Sequence, residues 1–182
     1  LNGGQGNDIL YANGSRQTVQ YNRGDGKDTL IGSYNTSGTV IALNDDFKPE
    51  DLKLQINQGQ LSVLLGSNQT TGMPERMLLS ISPYQLKEST LIDRFTFSTD
   101  DVQTAALSFA DLLARGVQVL GSDADEWVQG SNANDEMLAG AGSNTLTGGQ
   151  GTDTYVITQG SSNRIDDLQR AGEGNSIVKL LG

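Results

Sequence analysis

The stretch that decides the fold reads Gly121-Ser-Asp-Ala-Asp-Glu-Trp-Val-Gln129, Gly130-Ser-Asn-Ala-Asn-Asp-Glu-Met-Leu138, Ala139-Gly-Ala-Gly-Ser-Asn-Thr-Leu-Thr147 and Gly148-Gly-Gln-Gly-Thr-Asp-Thr-Tyr-Val156. Four nine-residue units follow one another without a slip, each with small residues early, an acid or amide sixth and an apolar residue eighth. The sixth positions are Glu126, Asp135, Asn144 and Asp153, and the eighth are Val128, Met137, Leu146 and Tyr155. Glycine tolerates positive φ and lets a turn aim its carbonyls inward without a Cβ clash, and the sixth-position carboxylate adds charge to those oxygens. The three residues that follow suffice only for a short strand, whose one inward apolar side chain stacks on its counterpart in the next coil. Two more units open the chain, Gly3-Gly-Gln-Gly-Asn-Asp-Ile-Leu-Tyr11 and Arg23-Gly-Asp-Gly-Lys-Asp-Thr-Leu-Ile31, separated by a degenerate stretch, 12–22.

Oxygen donors of this kind suit Ca²⁺, which takes six to eight oxygens in flexible geometry, better than Mg²⁺, which demands a tight octahedron. The spacing resembles the nonapeptide Gly-Gly-x-Gly-x-Asp-x-apolar-x of the repeats-in-toxin (RTX), or haemolysin-type, calcium-binding proteins. That resemblance implies a parallel β-roll in which two nonapeptides make one coil and ions bind between turns eighteen residues apart. On this chain it pairs Asp135 with Asp153 on one edge and Glu126 with Asn144 on the other. The second pair is the weaker site, since Glu is a methylene longer and Asn is neutral. Asp8 and Asp28 lie twenty apart, which suits one edge of a coil if 12–22 forms the opposite half; Gln17 then takes the sixth position there and no ion is expected. The implied metal ligands are Gly3, Gly4, Gly6, Asp8, Gly24, Gly26, Asp28, Gly130, Asn132, Asp135, Gly148, Gly149, Gly151 and Asp153, with Glu126 and Asn144 as weaker ones.

Composition points the same way. The 182 residues carry 22 Asp and Glu against 12 Lys and Arg, a net charge of −10, with 23 Gly, no His and no Cys. The last two absences remove Ser-His-Asp and Cys-His catalysis, His-based zinc or iron sites, disulfides and iron–sulfur clusters. The negative charge disfavours nucleic acid and leaves cations as natural partners. No apolar run approaches the roughly 20 residues of a membrane helix.

The middle of the chain loses the nonapeptide. Apolar runs at Thr39–Leu43, Leu52–Ile56, Leu61–Leu65, Met77–Ile81 and Leu91–Phe97 are bounded by turn residues, with Gln58-Gly59 as a hairpin turn. Thr104–Arg115 places Ala105, Leu107, Phe109, Ala110, Leu112 and Leu113 largely on one helical face, with Gly116 ending it. The expected fold is therefore mostly all-β: calcium-binding β-roll segments at 1–38 and 117–182 flanking a small β-rich domain, 39–116, with one helix near 104–115. Phe47-Lys-Pro-Glu-Asp-Leu52 through Leu91-Ile-Asp-Arg-Phe-Thr-Phe97 resembles the spacer domain between calcium-repeat blocks of large RTX proteins. Leu1-Asn-Gly-Gly-Gln-Gly-Asn-Asp8 also recurs as Leu146-Thr-Gly-Gly-Gln-Gly-Thr-Asp153, so the chain reads as one whole module and the opening of the next.

The resemblance implies a calcium-dependent folding module, not itself an enzyme, of a large bacterial toxin or adhesin that is secreted through the type I apparatus and acts outside the cell or at its surface. The alternative is an adhesin module whose middle domain binds carbohydrate or another surface ligand. Other motifs read as bland. Arg23-Gly24-Asp25 overlaps a repeat turn that already explains its glycine; Asp45-Asp46, Asp100-Asp101 and Asp166-Asp167 read as solvated turn formers rather than acid/base pairs; Trp127, at a seventh position, points outward and is expected to be a shielded surface residue rather than a small contact for a partner.

Overall fold

A computed structural model of the chain describes residues 1–32, 36–67, 72, 74–99, 102–167 and 174–181. Asp100 and Asp101 lie outside the described residues. The chain resolves into two compact units, one made of Leu1–Lys53, Ser62–Ile81 and Glu88–Leu112, the other of Leu54–Leu61, Ser82–Lys87 and Leu113–Gly182.

In the first unit β1 (Ile9–Ala12), β2 (Thr18–Tyr21), β3 (Thr29–Gly32) and β4 (Thr39–Leu43) alternate between two sheets. β1 lies parallel to β3 with Leu10 opposite Leu30, and β2 lies parallel to β4 with Val19 opposite Ile41. The period of two sends Leu10, Ala12, Val19, Tyr21, Leu30, Ile41 and Leu43 into the space between the sheets, where all are buried. Residues 12–22 thus form the opposite half-coil, as expected.

The segment after β4 does not stand apart as a domain. β5 (Lys53–Asn57) runs into the second unit, whereas β6 (Gln60–Ser67), β7 (Pro74–Leu79), β8 (Ile92–Thr99) and β9 (Val102–Ser108) continue the first. β7 adds parallel to β3, pairing Leu79 with Leu30, and β8 adds parallel to β4, pairing Phe95 with Ile41. β6 and β9 then pair antiparallel with β7 and β8. The reason is apolar stacking: Met77, Leu79, Phe95 and Phe97 extend the columns begun by Leu30 and Ile41.

The helix expected near 104–115 is shorter, and its first half is strand. β9 holds Leu107 opposite Phe95, and the helix α1 covers only Phe109–Ala114. Ser108 marks the boundary, since its Oγ accepts the Asp111 amide at 3.0 Å as an N-cap. A Ser-x-x-Asp signature at 108–111 was the available signal. Gly116, at φ 93°, ends the helix as expected, its N–H reaching Leu113 O at 3.0 Å.

The second unit repeats the roll in stricter register. β10 (Val117–Leu120), β11 (Trp127–Gln129), β12 (Asp135–Leu138), β13 (Ser143–Thr147), β14 (Thr154–Thr158), β15 (Ser162–Ile165) and β16 (Ile177–Leu181) follow in chain order. One sheet orders β5, β10, β12, β14 and β16, and the other β11, β13 and β15. Met137 pairs with Tyr155 and Val128 with Leu146, so the eighth positions stack at intervals of eighteen residues, and all four are buried. Gln58 and Gly59, at φ 50° and 75°, make the tight turn after β5. The molecule is therefore an all-β protein of parallel stacked coils with one short helix among the described residues.

Candidate calcium sites

Each sixth residue closes a glycine turn and opens a strand, so its side chain points into the stack of turns. Three pairs of these residues meet in the same way. The Asp8 amide donates to Asp28 Oδ1 at 3.0 Å, the Glu126 amide to Asn144 Oδ1 at 3.2 Å, and the Asp135 amide to Asp153 Oδ1 at 2.9 Å. The expected pairings are the ones the fold builds, including the pair twenty residues apart, because β1 and β3 pair Ile9 with Thr29.

The turns stack so closely that glycine is obligatory at several of them. A Cβ on Gly26 would collide with the carbonyl oxygen of Gly6, one on Gly149 with that of Ser131, and one on Gly151 with that of Ala133. First-position glycines make room for their own carboxylate: a Cβ on Gly3 would lie 2.7 Å from Asp8 Oδ2, and one on Gly130 2.6 Å from Asp135 Oδ2. A Cβ on Gly148 would likewise strike the Asp153 carboxylate, whereas Gly4, at φ 75°, is needed for its backbone conformation alone.

The three pairs differ in what satisfies them. Asp28 is wholly buried, and Asp8 Oδ2 and Asp28 Oδ2 are buried oxygens that accept no hydrogen bond among the described residues. Burial raises the Asp28 pKa, the bond from the Asp8 amide counters it, and the charges of Asp8 and Asp25 add to the rise. Asp135 is pushed up to about 7, chiefly by burial and further by the Asp153 charge, against the pull of the Ser131 hydrogen bonds and of Lys87. Those bonds come from the Ser131 amide at 2.7 Å and its hydroxyl at 2.8 Å.

On the other edge Asn144 donates through Nδ2 to the carbonyls of Ala141 at 2.9 Å and Ala139 at 3.4 Å, and Glu126 accepts the Ser122 amide. There an amide N–H₂ occupies the turn carbonyls that a cation would use. Asn132 is turned elsewhere: its Oδ1 accepts the Lys87 amide at 3.3 Å and its N–H donates to Pro83 O at 3.2 Å.

No group of three or more His, Cys, Asp or Glu side chains surrounds one metal position among the described residues. A cation would therefore take two carboxylates and complete its shell from turn carbonyls. Orphaned buried oxygens and an all-oxygen donor set fit Ca²⁺ at Asp8/Asp28, and the paired buried carboxylates fit it at Asp135/Asp153. The Glu126/Asn144 edge does not fit a cation. A bound ion would supply the positive charge that these carboxylates lack.

Sequence reading missed two sets of residues. Fifth-position side chains stitch consecutive turns: Asn7 Oδ1 accepts the Lys27 amide at 2.9 Å, Asp125 Oδ1 the Ser143 amide at 2.7 Å, and Asn134 Oδ1 the Thr152 amide at 2.9 Å. The recurrence of Asn or Asp at that position was the signal. Arg23, at a first position next to Gly24, is itself an internal cation. It bonds Asp46 and Glu75 at 2.8 Å each, its guanidinium carbon lies 3.7 Å from the Phe47 ring centre, and the Gly24 amide donates to Glu75 at 2.8 Å. With Asp25 buried as well, Arg23-Gly24-Asp25 is a structural turn.

A profile of the RTX calcium-binding nonapeptide repeat matches residues 1–16 and 120–155, in four copies. The chain carries RTX calcium-binding repeats. The matched RTX segments contain Asp8, Glu126, Asp135, Asn144 and Asp153; Asp28 lies outside them and joins its site through the register of β3 on β1. Among solved structures, the extracellular lipase LipA from Serratia marcescens is similar over 96% of this chain at 10% identity, with a TM-score of 0.24. This chain spans 31% of that protein's length, and a likeness of that size carries no argument. No curated protein sequence matches the chain.

Proposed function

We propose that this chain is a calcium-dependent folding module of a larger secreted RTX toxin or adhesin, exported unfolded by type I secretion and folded outside the cell. One observation carries it: buried, mutually repelling carboxylates sit at stacked glycine turns, with Asp8 Oδ2 and Asp28 Oδ2 lacking any hydrogen bond among the described residues. An unpaired buried charge costs several kcal/mol, so a cation that joins the turns stabilises their closed form. Extracellular calcium modules bind with constants on the order of 10⁻⁴–10⁻³ M, far above submicromolar cytosolic calcium and matched to millimolar calcium outside. The module works as scaffold and switch rather than catalyst, and any catalytic domain belongs elsewhere in the parent protein. A second reading, an adhesin module with a ligand surface, is favoured by two aromatic side chains, Tyr84 and Trp127, that stand half exposed or more.

Calorimetric calcium titration with circular dichroism tests the first reading. Two or more ions should bind with a gain of β signal, and Asp153→Ala should lose about one of them. Identical spectra in chelator and in millimolar calcium would overturn it.

A further inference from the structure

Within the second unit lies a cleft of about 210 Å³ walled by Trp127 and Tyr84. Trp127 opens β11 at a seventh position, where alternation buries Val128 and turns the indole outward. It was expected to be shielded; instead it is 66% exposed, on the outward side of β11, and its Nε1 donates to Thr147 Oγ1 at 2.9 Å. Tyr84, 50% exposed, sits on the turn Pro83–Gln85, which the Asn132 hydrogen bonds to Pro83 and Lys87 pin to the roll. Both rings are thus placed before any ligand arrives, which lowers the ordering cost of binding. Gln58, Gln129 and Glu126 add amide and carboxylate groups to the lining, and buried Val119 lies beneath.

We propose that this cleft binds a neutral sugar ring of a glycan. The negative face of an aromatic ring attracts the weakly positive C–H groups of a pyranose. Side-chain amides both donate and accept, as pairs of neighbouring hydroxyls require. Anionic ligands are repelled by the net charge of −10 and by Glu126 itself. A quaternary ammonium is held over ring faces in an aromatic cage, and an open cleft with two rings and three polar side chains offers little of that. The volume is below the roughly 300–1,000 Å³ of sites that enclose a drug-sized ligand, so one ring laid on the aromatic surface fits. This assignment rests on the adhesin reading and names its ligand class; it is independent of how many calcium ions bind.

Trp127 is the only tryptophan of the chain, so its fluorescence reports on the cleft alone. The full chain, in about 5 mM calcium to fill sites of the extracellular class, is titrated with neutral trisaccharides of glucose, galactose, mannose and N-acetylglucosamine, and separately with tetramethylammonium. At least one trisaccharide should give a saturable change in emission, and Tyr84→Ala should weaken its binding about tenfold or more, as loss of an aromatic anchor does, with an unchanged circular dichroism spectrum. Undiminished sugar binding by Tyr84→Ala would overturn the assignment. A response to tetramethylammonium and to no sugar would overturn the sugar but keep a ligand cleft, and silence towards every probe would overturn the adhesin reading with it.

Discussion

The two edges of the second roll are built from one backbone turn and closed by opposite chemistries. On the Asp135/Asp153 edge two acids are stacked and buried, and burial holds the Asp135 carboxyl far above the ordinary carboxylate range. On the Glu126/Asn144 edge an amide donates to the carbonyls of Ala139 and Ala141 and closes the turn from within. The sixth position, acid or amide, thus separates a turn that stacks buried carboxylates from one closed by the chain's own N–H donors. The first unit draws the same contrast: Asp8 and Asp28 leave oxygens unbonded, while the neighbouring turn residue Arg23 brings a guanidinium of its own to Asp46 and Glu75. The rolls are therefore mosaics of turns whose acids are buried against one another and turns closed by donors of the chain's own.

The largest expected effect exposes that contrast through protons. The folded pKa of Asp135, about 7, lies above its value in the unfolded chain, so the native form holds the proton more tightly. Stability then falls as pH rises through the window between the ordinary carboxylate range and about 7. Asp153 strengthens this shift and Lys87 opposes it. In chelator, thermal unfolding of the second roll should occur at a higher temperature at pH 5 than at pH 8. A flat profile would mean that Asp135 gains a partner without calcium and that the two edges are alike.

Next in size is Asn144→Asp, which converts the self-closed edge into an acidic one. In chelator it replaces two donated hydrogen bonds with a buried unpaired charge, a loss of about 3 kcal/mol readable by denaturant titration. In calcium the variant should bind one more ion than the parent by calorimetry and recover part of that loss. Absence of the extra ion would show that the sixth residue alone does not set the chemistry of a turn.

Most of this fold was legible because the nonapeptide carries its own register: the eighth-position column and the intervals of eighteen follow from counting. The pairing of Asp8 with Asp28 was also legible, although residues 12–22 hide one half-coil. Two things were not. Nothing local distinguishes a strand that founds a new domain from one that extends a roll, because only the columns of Leu30 and Ile41 tell Leu79 and Phe95 where to stack. At 104–108, helical periodicity gave way to pairing with β8, since Leu107 buries itself equally well from a strand. The cleft at Trp127 was hidden for the opposite reason, as its second wall, Tyr84, is distant in sequence and is brought there by Asn132, a residue read as a metal ligand.

The smallest of these effects is the most diagnostic, because its sign depends on conditions. Asp28→Asn keeps the side-chain oxygen that accepts the Asp8 amide but removes a charge that is wholly buried beside Asp8 and Asp25. Without calcium the substitution relieves repulsion, so the variant should be at least as stable as the parent. With about 5 mM calcium the parent gains roughly 1–2 kcal/mol from an ion at that site and the variant does not, so the order reverses. The two melting curves, followed against calcium concentration, should therefore cross. A variant less stable than the parent at every calcium concentration would mean that Asp28 acts as an ordinary hydrogen-bonding residue of the turn. The first unit would then depend on the Arg23 clamp rather than on a metal. A crossing would place the first unit with the Asp135 edge and make the sixth-position acid the common device of both rolls.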